Sequence, residues 1–482
     1  MLFNSITFAI FLPLVFILYW FVFQRNLKIQ NILVVVASYV FYGWWDWRFL
    51  ILILFSTLTD YIIGLLLHRE NNQRKRKIFL AVSVVINLSF LGFFKYCNFF
   101  IDNFIDAFRI FGYELNIHTL NIILPVGISF YTFQTMSYTI DIYRRKIDAT
   151  DDFIAFAAFV GFFPLLVAGP IERAANFLPQ FYKKRTFDYE KAVDGMRQML
   201  WGFFKKIVIA DNCASFVNMA FENPQEQTGS TLLIGVIFFT FQIYCDFSAY
   251  SDIAIGTSRL FGFNAMRNFA YPLFSRDIAE FWRRWHISQT TWFRDYVYFP
   301  LGGSRVSKIK VVRNTFIIFL LSGFWHGANW TFIAWGICNT VLFLPLILME
   351  KNRKYTNTVA ENKRLPNIKE VFQMGSTFLL ITLTWVFFRS DSIEQAFTYF
   401  KGLADMSLFS LPPTENMLIL KCLIFISGML IVEWIGRNNR FGLEKIAITW
   451  KKPLRWACYL FIVILILLSV KAEGTPFIYF QF

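Results

Sequence analysis

Histidine is scarce in this chain of 482 residues. It occurs at His68, His118, His286 and His326. His326 stands in LLSGFWHGANWTFIAWG (320–336), an apolar run interrupted by Gly323 and Gly327, with Trp325, Asn329 and Trp330 beside it. A lone histidine among apolar residues is most often a core residue satisfied by a nearby carbonyl. Three observations count against that here: the scarcity of histidine, the cost of an ionisable group within an apolar span, and the helix breakers on both sides of the ring. An imidazole with an unperturbed pKa of about 6.5 suits proton transfer at neutral pH. His286 stands in FWRRWHISQTTWFRDYVYFPLGGSR (281–305), where Arg283, Arg284 and Arg294 alternate with Phe281, Trp285, Trp292 and Tyr296 near helical spacing. The simplest reading of this stretch is an amphipathic helix lying at the inner leaflet. That reading leaves His286 and the turn at Pro300–Gly303 unexplained. A third cluster, Asp246, Ser248, Tyr250, Ser251 and Asp252, falls late in an apolar run (QIYCDFSAYSDIAIG, 242–256). Interhelical hydrogen bonding accounts for it, and so does a water-filled cavity or a paired arginine.

The residue types exclude several chemistries. His286 and His326 lack HxxxH spacing, and no nearby cysteine or carboxylate completes a metal ligand set. There is no GxGxxG or GxxxxGK[ST] phosphate loop and no GxSxG elbow. What remains is a histidine in an apolar setting without a protein nucleophile beside it. Direct acyl transfer fits this. A thioester donor is already activated, so the site needs only a base for the acceptor hydroxyl and a means of holding the carbonyl.

The elements that must position these residues are membrane helices. Apolar residues make up 56% of the chain and charged residues only 16%, against about a quarter charged in soluble domains. Such a chain cannot cover itself with a solvated surface, which excludes a soluble enzyme, a disordered protein and a soluble nucleic-acid binder. The net charge of +15 then reads as basic loops retained on the cytoplasmic side. The six scattered cysteines, with no CxxC, read as packed thiols. A crossing helix needs about 20 apolar residues. Candidate spans are 5–23, 29–45, 49–68, 77–100, 122–143, 152–171, 196–221, 229–257, 314–349, 371–388, 417–436 and 456–472. The first has no basic residue before it and no cleavage pattern after it, so it reads as a retained helix rather than a signal peptide. Placing the basic links (69–77, 144–146, 183–185, 351–354 and 437–455) inside puts both termini outside. Alternation then fails at 152–171, with Pro164, Gly169 and Pro170, and at 314–349, with Gly323 and Gly327. Both segments have basic flanks at each end. Each must bend and return, and irregular backbone at membrane depth needs a buried or cavity-lining place. This predicts a central site near 320–332, a break near Gly323–Asn329, and His326 turned away from lipid. The expected organisation is a single domain over 1–482 with 11–12 membrane segments and a motif core at 124–340.

At these motifs the chain resembles the membrane-bound O-acyltransferase family, in its bacterial alginate O-acetylation branch. The resemblance is carried by LPVGISFYTFQTMSYTIDIYR (124–144), FFPLLVAGPIER (162–173), YCDFSAYSDIAIG (244–256), and the two histidine segments at 281–305 and 322–336. Ala249 stands where many members have Gly, and Gln289-Thr290 replace a commoner Leu-Ser.

The resemblance implies an all-α polytopic bundle with broken or re-entrant helices, a donor tunnel open to the cytoplasm and an acceptor funnel open outward. It implies a catalytic role for His326 and a second functional histidine at His286. The reading that follows is an acyltransferase of the bacterial inner membrane. It would move an acyl group, most simply acetyl, from acetyl-CoA or another cytoplasmic thioester towards an extracytoplasmic polysaccharide, with an extracytoplasmic acetyltransferase as partner. No bound cofactor, metal or nucleic acid is expected, and membrane lipid surrounds the chain. Arg283, Arg284, Trp285, Arg294, Asp246, Trp325 and Asn329 are the candidate substrate or donor contacts. D-alanyl transfer to teichoic acid, and a glycan exporter without transferase activity, are the alternatives. An exporter would predict inverted repeats, and none is visible.

Overall fold

The computed structural model describes residues 1–115, 118–412, 416–446, 448–471 and 477–478. No described residue is in a strand. Helices, which satisfy their own backbone polar groups as hydrocarbon surroundings require, are the chain's regular structure. Among the described residues, seven helical runs are long and apolar enough to cross a membrane. The chain divides into two compact units, Met1–Ala192 with Ser258–Ala265, and Val193–Thr257 with Met266–Phe482.

The first unit holds α1 (Ile6–Ile17), α2 (Leu27–Asp46), α3 (Leu50–Arg69), α4 (Gln73–Leu91), α5 (Cys97–Ile110), α6 (Ile128–Tyr143), α7 (Phe153–Gly161) and the single turn α8 (Ala174–Phe177). Its outer faces carry exposed Ile6, Ile10 and Phe21, a surface suited to lipid. Its interior is tied by polar contacts that are costly to leave unmade in an apolar medium. Asp60 of α3 accepts from Ser83 at 2.6 Å and from Asn87 at 2.8 Å, both on α4. The buried Arg76 caps the carbonyls of Leu67, Ile142 and Tyr143. The 152–171 segment is not a span. Its helix is the nine-residue α7, and Phe162–Arg173 follow as non-helical backbone that is almost entirely buried.

The second unit begins within α9 (Tyr189–Phe203) and continues through a π-helical turn at Phe204–Ala210, α10 (Asp211–Glu222) and α11 (Gly229–Leu260). Then come two short helices, α12 (Ile278–Arg284) and α13 (Ile287–Phe293), and a hairpin of α14 (Lys308–His326) and α15 (Trp330–Leu348). It ends with α16 (Ile368–Arg389), α17 (Ile393–Leu403), α18 (Asn416–Ile435) and α19 (Lys452–Ser469). In the most apolar stretch of α11, 78% of residues are buried, against 11% in α19, so α11 is a core helix and α19 a peripheral one.

The 314–349 segment is two helices, as its glycines and flanks predict. α14 ends at His326, Gly327 to Asn329 are extended or bent, and the Asn329 side chain caps α15 by accepting from the Thr331 N–H at 3.0 Å. The two arms approach until backbones touch. A Cβ on Gly323 would lie 2.2 Å from the Phe332 carbonyl oxygen, and one on Gly336 2.5 Å from that of Phe319. Small residues permit this distance, and close packing replaces the hydrophobic drive that helices lack in lipid.

The 275–305 stretch corrects the amphipathic-helix reading. It is broken at Trp285-His286, where His286 adopts a left-handed conformation (φ 43°, ψ 55°). Ile278 to Trp282, Trp285, His286, Ser288 and Gln289 are buried. The near-helical spacing of its aromatics marks packing against other helices rather than a face turned to lipid.

Candidate active site

The end of α14 places His326 inside the second unit, 5% exposed. Its ring is enclosed by aromatic edges. Centroid distances are 4.9 Å to Trp325, 5.2 Å to Trp335 and 5.1 Å to Phe388, all near perpendicular. Trp335 stacks on Trp385 at 5.7 Å, and Trp385 meets Trp285 at 5.3 Å. The wall that fixes the His326 ring therefore comes from α14, α15 and α16 together. An imidazole so enclosed has few rotamers open to it, which favours a set orientation towards a reacting group.

His286 is fully buried. Its Nδ1 lies 3.1 Å from Asn268 Oδ1, and its ring meets the edge of Phe247 at 4.6 Å and Trp325 at 5.7 Å. Both imidazoles thus rest against the indole of Trp325. The left-handed backbone at His286 costs about 1–2 kcal/mol, and such strain concentrates at functional positions.

A cavity of about 480 Å³ is lined by Ile287, next to His286, and by residues of α14 leading up to His326, but by neither histidine itself. Its lining includes Trp282, Arg283, Gln289, Arg294, Ser322 and Arg353. Ser322 is one helical turn before His326 on α14. Trp282 packs on Trp335 at 5.6 Å, and Trp335 touches His326. Along this path two indoles, Trp282 and Trp335, stand between the cavity and the imidazole. The indole N–H of Trp282 and the amide NH2 of Gln289 are buried there without a protein acceptor. A buried donor left unmade costs about 1–3 kcal/mol, so these two groups mark local strain in the cavity's surroundings.

The structure separates the arginines of this stretch. Arg283 and Arg294 line the cavity. Arg283 is already spent in part on the carbonyls of Asn352 and Tyr355, whereas Arg294 is exposed and pairs with Asp295 at 2.8 Å. Arg284 is not in the lining. It holds Glu280 at 2.8 Å and the carbonyls of Ala270 and Asn357. Trp285 is a core residue, 1% exposed, stacked on Phe281 at 5.4 Å. Asn329 serves as the α15 cap and donates to the Asp391 carbonyl at 2.8 Å.

The acidic cluster of α11 is paired with lysine, not arginine. The π-helical turn at Phe204–Ala210 turns two consecutive lysines inward. Lys205 reaches Asp252 and Ser248, each at 2.7 Å. Lys206 reaches Asp246 at 2.6 Å and Asp211 at 3.0 Å, and Asp246 also accepts the Ile478 N–H at 2.7 Å. A small polar cavity of about 20 Å³ lies among Lys205, Ser251, Asp252, Asn268 and Glu433, room for about one water. The signal for these lysines is in the sequence, as KK within the apolar run FFKKIVIA. Asn268, Trp282, Gln289 and Trp335 carry no comparable signal, because only the fold brings them to the histidines.

Among the described residues, no group of three or more His, Cys, Asp or Glu is arranged to hold a metal ion.

The sequence matches the profile of MBOAT, the membrane-bound O-acyltransferase family, over residues 32–388. It is 39% identical over 413 residues to the probable alginate O-acetylase AlgI of Pseudomonas aeruginosa, covering 85% of this chain and 76% of the relative. It is 36% identical to the protein of the same name from Pseudomonas putida over the full length of both chains. The peptidoglycan O-acetyltransferase of Helicobacter pylori is 31% identical, over 100% of this chain and 98% of the relative. A family profile that spans the two histidines and most of the helices around them, with full-length relatives, makes this chain a member of the membrane-bound O-acyltransferase family: a multi-pass membrane O-acyltransferase.

Proposed function

We propose that the chain takes an acetyl group from a cytoplasmic thioester, acetyl-CoA being the simplest donor, and passes it to a hydroxyl acceptor on the far side of the inner membrane. His326 acts as general base. The imidazole accepts the hydroxyl proton as the oxygen attacks the thioester carbonyl. The tetrahedral intermediate collapses with cleavage of the C–S bond, and the imidazolium returns the proton to the departing thiolate. The proton balance closes within the site, and no acyl-histidine forms. His286 assists as a positioning group.

The observation that carries this reading is the placement of His326 at a helix break, one turn beyond Ser322 of the large cavity rimmed by Arg283, Arg294 and Arg353, with the Trp282–Trp335 pair between cavity and imidazole. The arginine rim suits an anionic thioester donor. Basic residues cluster on the links next to this rim, which supports a cytoplasmic donor side. Acetyl transfer and a polysaccharide acceptor are supported by the relatives, named for alginate and peptidoglycan O-acetylation. We take the acceptor to be an extracytoplasmic polysaccharide reached with the help of a separate extracytoplasmic acetyltransferase.

The test is purified protein in lipid nanodiscs with radiolabelled acetyl-CoA. His326-dependent release of free thiol supports the reading. Cleavage only of an aminoacyl thioester on a carrier protein would replace it with D-alanyl transfer, and no cleavage of either would refute the donor assignment.

A further inference from the structure

We propose that Asn268 is a positioning residue that fixes the ring orientation and tautomer of His286. This rests on the reading that His286 assists acyl transfer, although the geometry stands apart from it. Asn268 is fully buried in the link after α11, and its backbone carbonyl accepts the Ile287 N–H at 2.8 Å. That bond pins the link to the first residue of α13, directly after the left-handed His286.

The side chain completes the arrangement. Asn268 Oδ1 accepts from the Ser288 N–H at 3.2 Å and from the Ser288 hydroxyl at 2.9 Å. Asn268 Nδ2 donates to Ser251 of α11 at 3.0 Å. These partners fix which end of the amide is oxygen, because a backbone N–H can only donate. An amide oxygen facing His286 Nδ1 at 3.1 Å requires that nitrogen to carry the proton. The lone pair is then on Nε2. The ring is held in plane by the edge of Phe247 at 4.6 Å and by the near-parallel Phe269 at 6.4 Å. Asn268 therefore does for His286 what the second ring nitrogen's partner does in other functional histidines.

The test uses full-length protein in nanodiscs, labelled with 15N-histidine. The His286 signals are assigned by difference from His286→Gln. The wild type is expected to carry its proton on Nδ1. Asn268→Ala should give a mixed or Nε2-protonated ring and lower kcat roughly ten- to a hundredfold, the range seen when the partner of a metal-bound histidine is removed, with KM for the thioester changed less than threefold. Asn268→Asp keeps an acceptor facing Nδ1 and should keep the Nδ1 proton and restore most of kcat. A wild-type ring protonated on Nε2 overturns the proposal by itself, whatever the variants do. So does an Asn268→Ala protein whose tautomer and kcat match wild type. If the wild type cleaves no thioester at all, the functional reading fails while the spectra still decide the role of Asn268.

Discussion

The α14–α15 hairpin gives a perturbation whose size can be worked out. Replacing Gly323 by Ala adds one methyl, 2.2 Å from the Phe332 carbonyl oxygen and 3.1 Å from its carbon. Contacts between such atoms are normally about 3.5 Å apart, so the helices must separate by about 1 Å. The obstacle is backbone, which no rotamer change can relieve. Overpacking of this kind costs about 1–3 kcal/mol. His326 is three residues further along the displaced helix, and a shift of about 1 Å in a catalytic group can lower the rate about a hundredfold. Gly375 on α16 is the control, because a Cβ there meets nothing within 4 Å. Gly375→Ala should be neutral or stabilising by roughly 0.5–1 kcal/mol, the helix preference of Ala over Gly. Thermal unfolding in nanodiscs and thioester cleavage are measured on both variants. A Gly323→Ala protein with wild-type melting and wild-type turnover would refute the argument that backbone contact at the hairpin sets the position of His326.

Three further outcomes follow from the site. Asp246→Ala should destabilise the protein by about 3 kcal/mol, the low end for breaking a buried pair because Asp211 still faces Lys206; denaturation in detergent reads it, and an unchanged midpoint would contradict it. Gln289→Leu removes a buried amide from the cavity wall and should raise KM for the thioester about tenfold, with kcat within threefold, in steady-state kinetics. Arg294→Ala, at an exposed position, should weaken donor binding at low salt and match wild type at high salt, as a salt titration of KM will show.

Much of the architecture is legible in the sequence because its physical cause is local. Charged residues at 16% with long apolar runs leave no solution except membrane helices. The conflict between basic flanks and a single span at 314–349 locates the break that the structure places after His326. The placement of His326 is readable for the same reason, since a rare ionisable residue between helix breakers stands out in one dimension, whereas His286 has no breaker beside it in the sequence. Other features depend on contacts distant in sequence. Arg284 and Trp285 share a motif with Arg283 but face Glu280 and the core, a distinction set by their different positions around α12 and the distant Ala270 and Asn357 carbonyls that Arg284 meets, rather than by residue type. The aromatics of 281–296 suggest a lipid-facing stripe because burial in protein and burial in lipid select the same residues. The lysine partners of Asp246 and Asp252 lie some 40 residues away and are turned inward by a π-helical turn, which no periodicity in the sequence reports. Asn268 lies 18 residues before the histidine it holds, in a link without a recognisable motif.

The central claim is that His326 is the base for acyl transfer, and His326→Ala tests it most directly. Wild-type and variant protein, reconstituted at equal folded amounts, are compared for turnover of a radiolabelled acetyl thioester, with His68→Ala and His118→Ala as controls. Removing a general base typically costs about 10²–10⁴-fold. The account predicts a loss in that range for His326→Ala, unchanged melting, and little effect of either control. Near-normal turnover by a folded His326→Ala protein would contradict it and place the chemistry elsewhere.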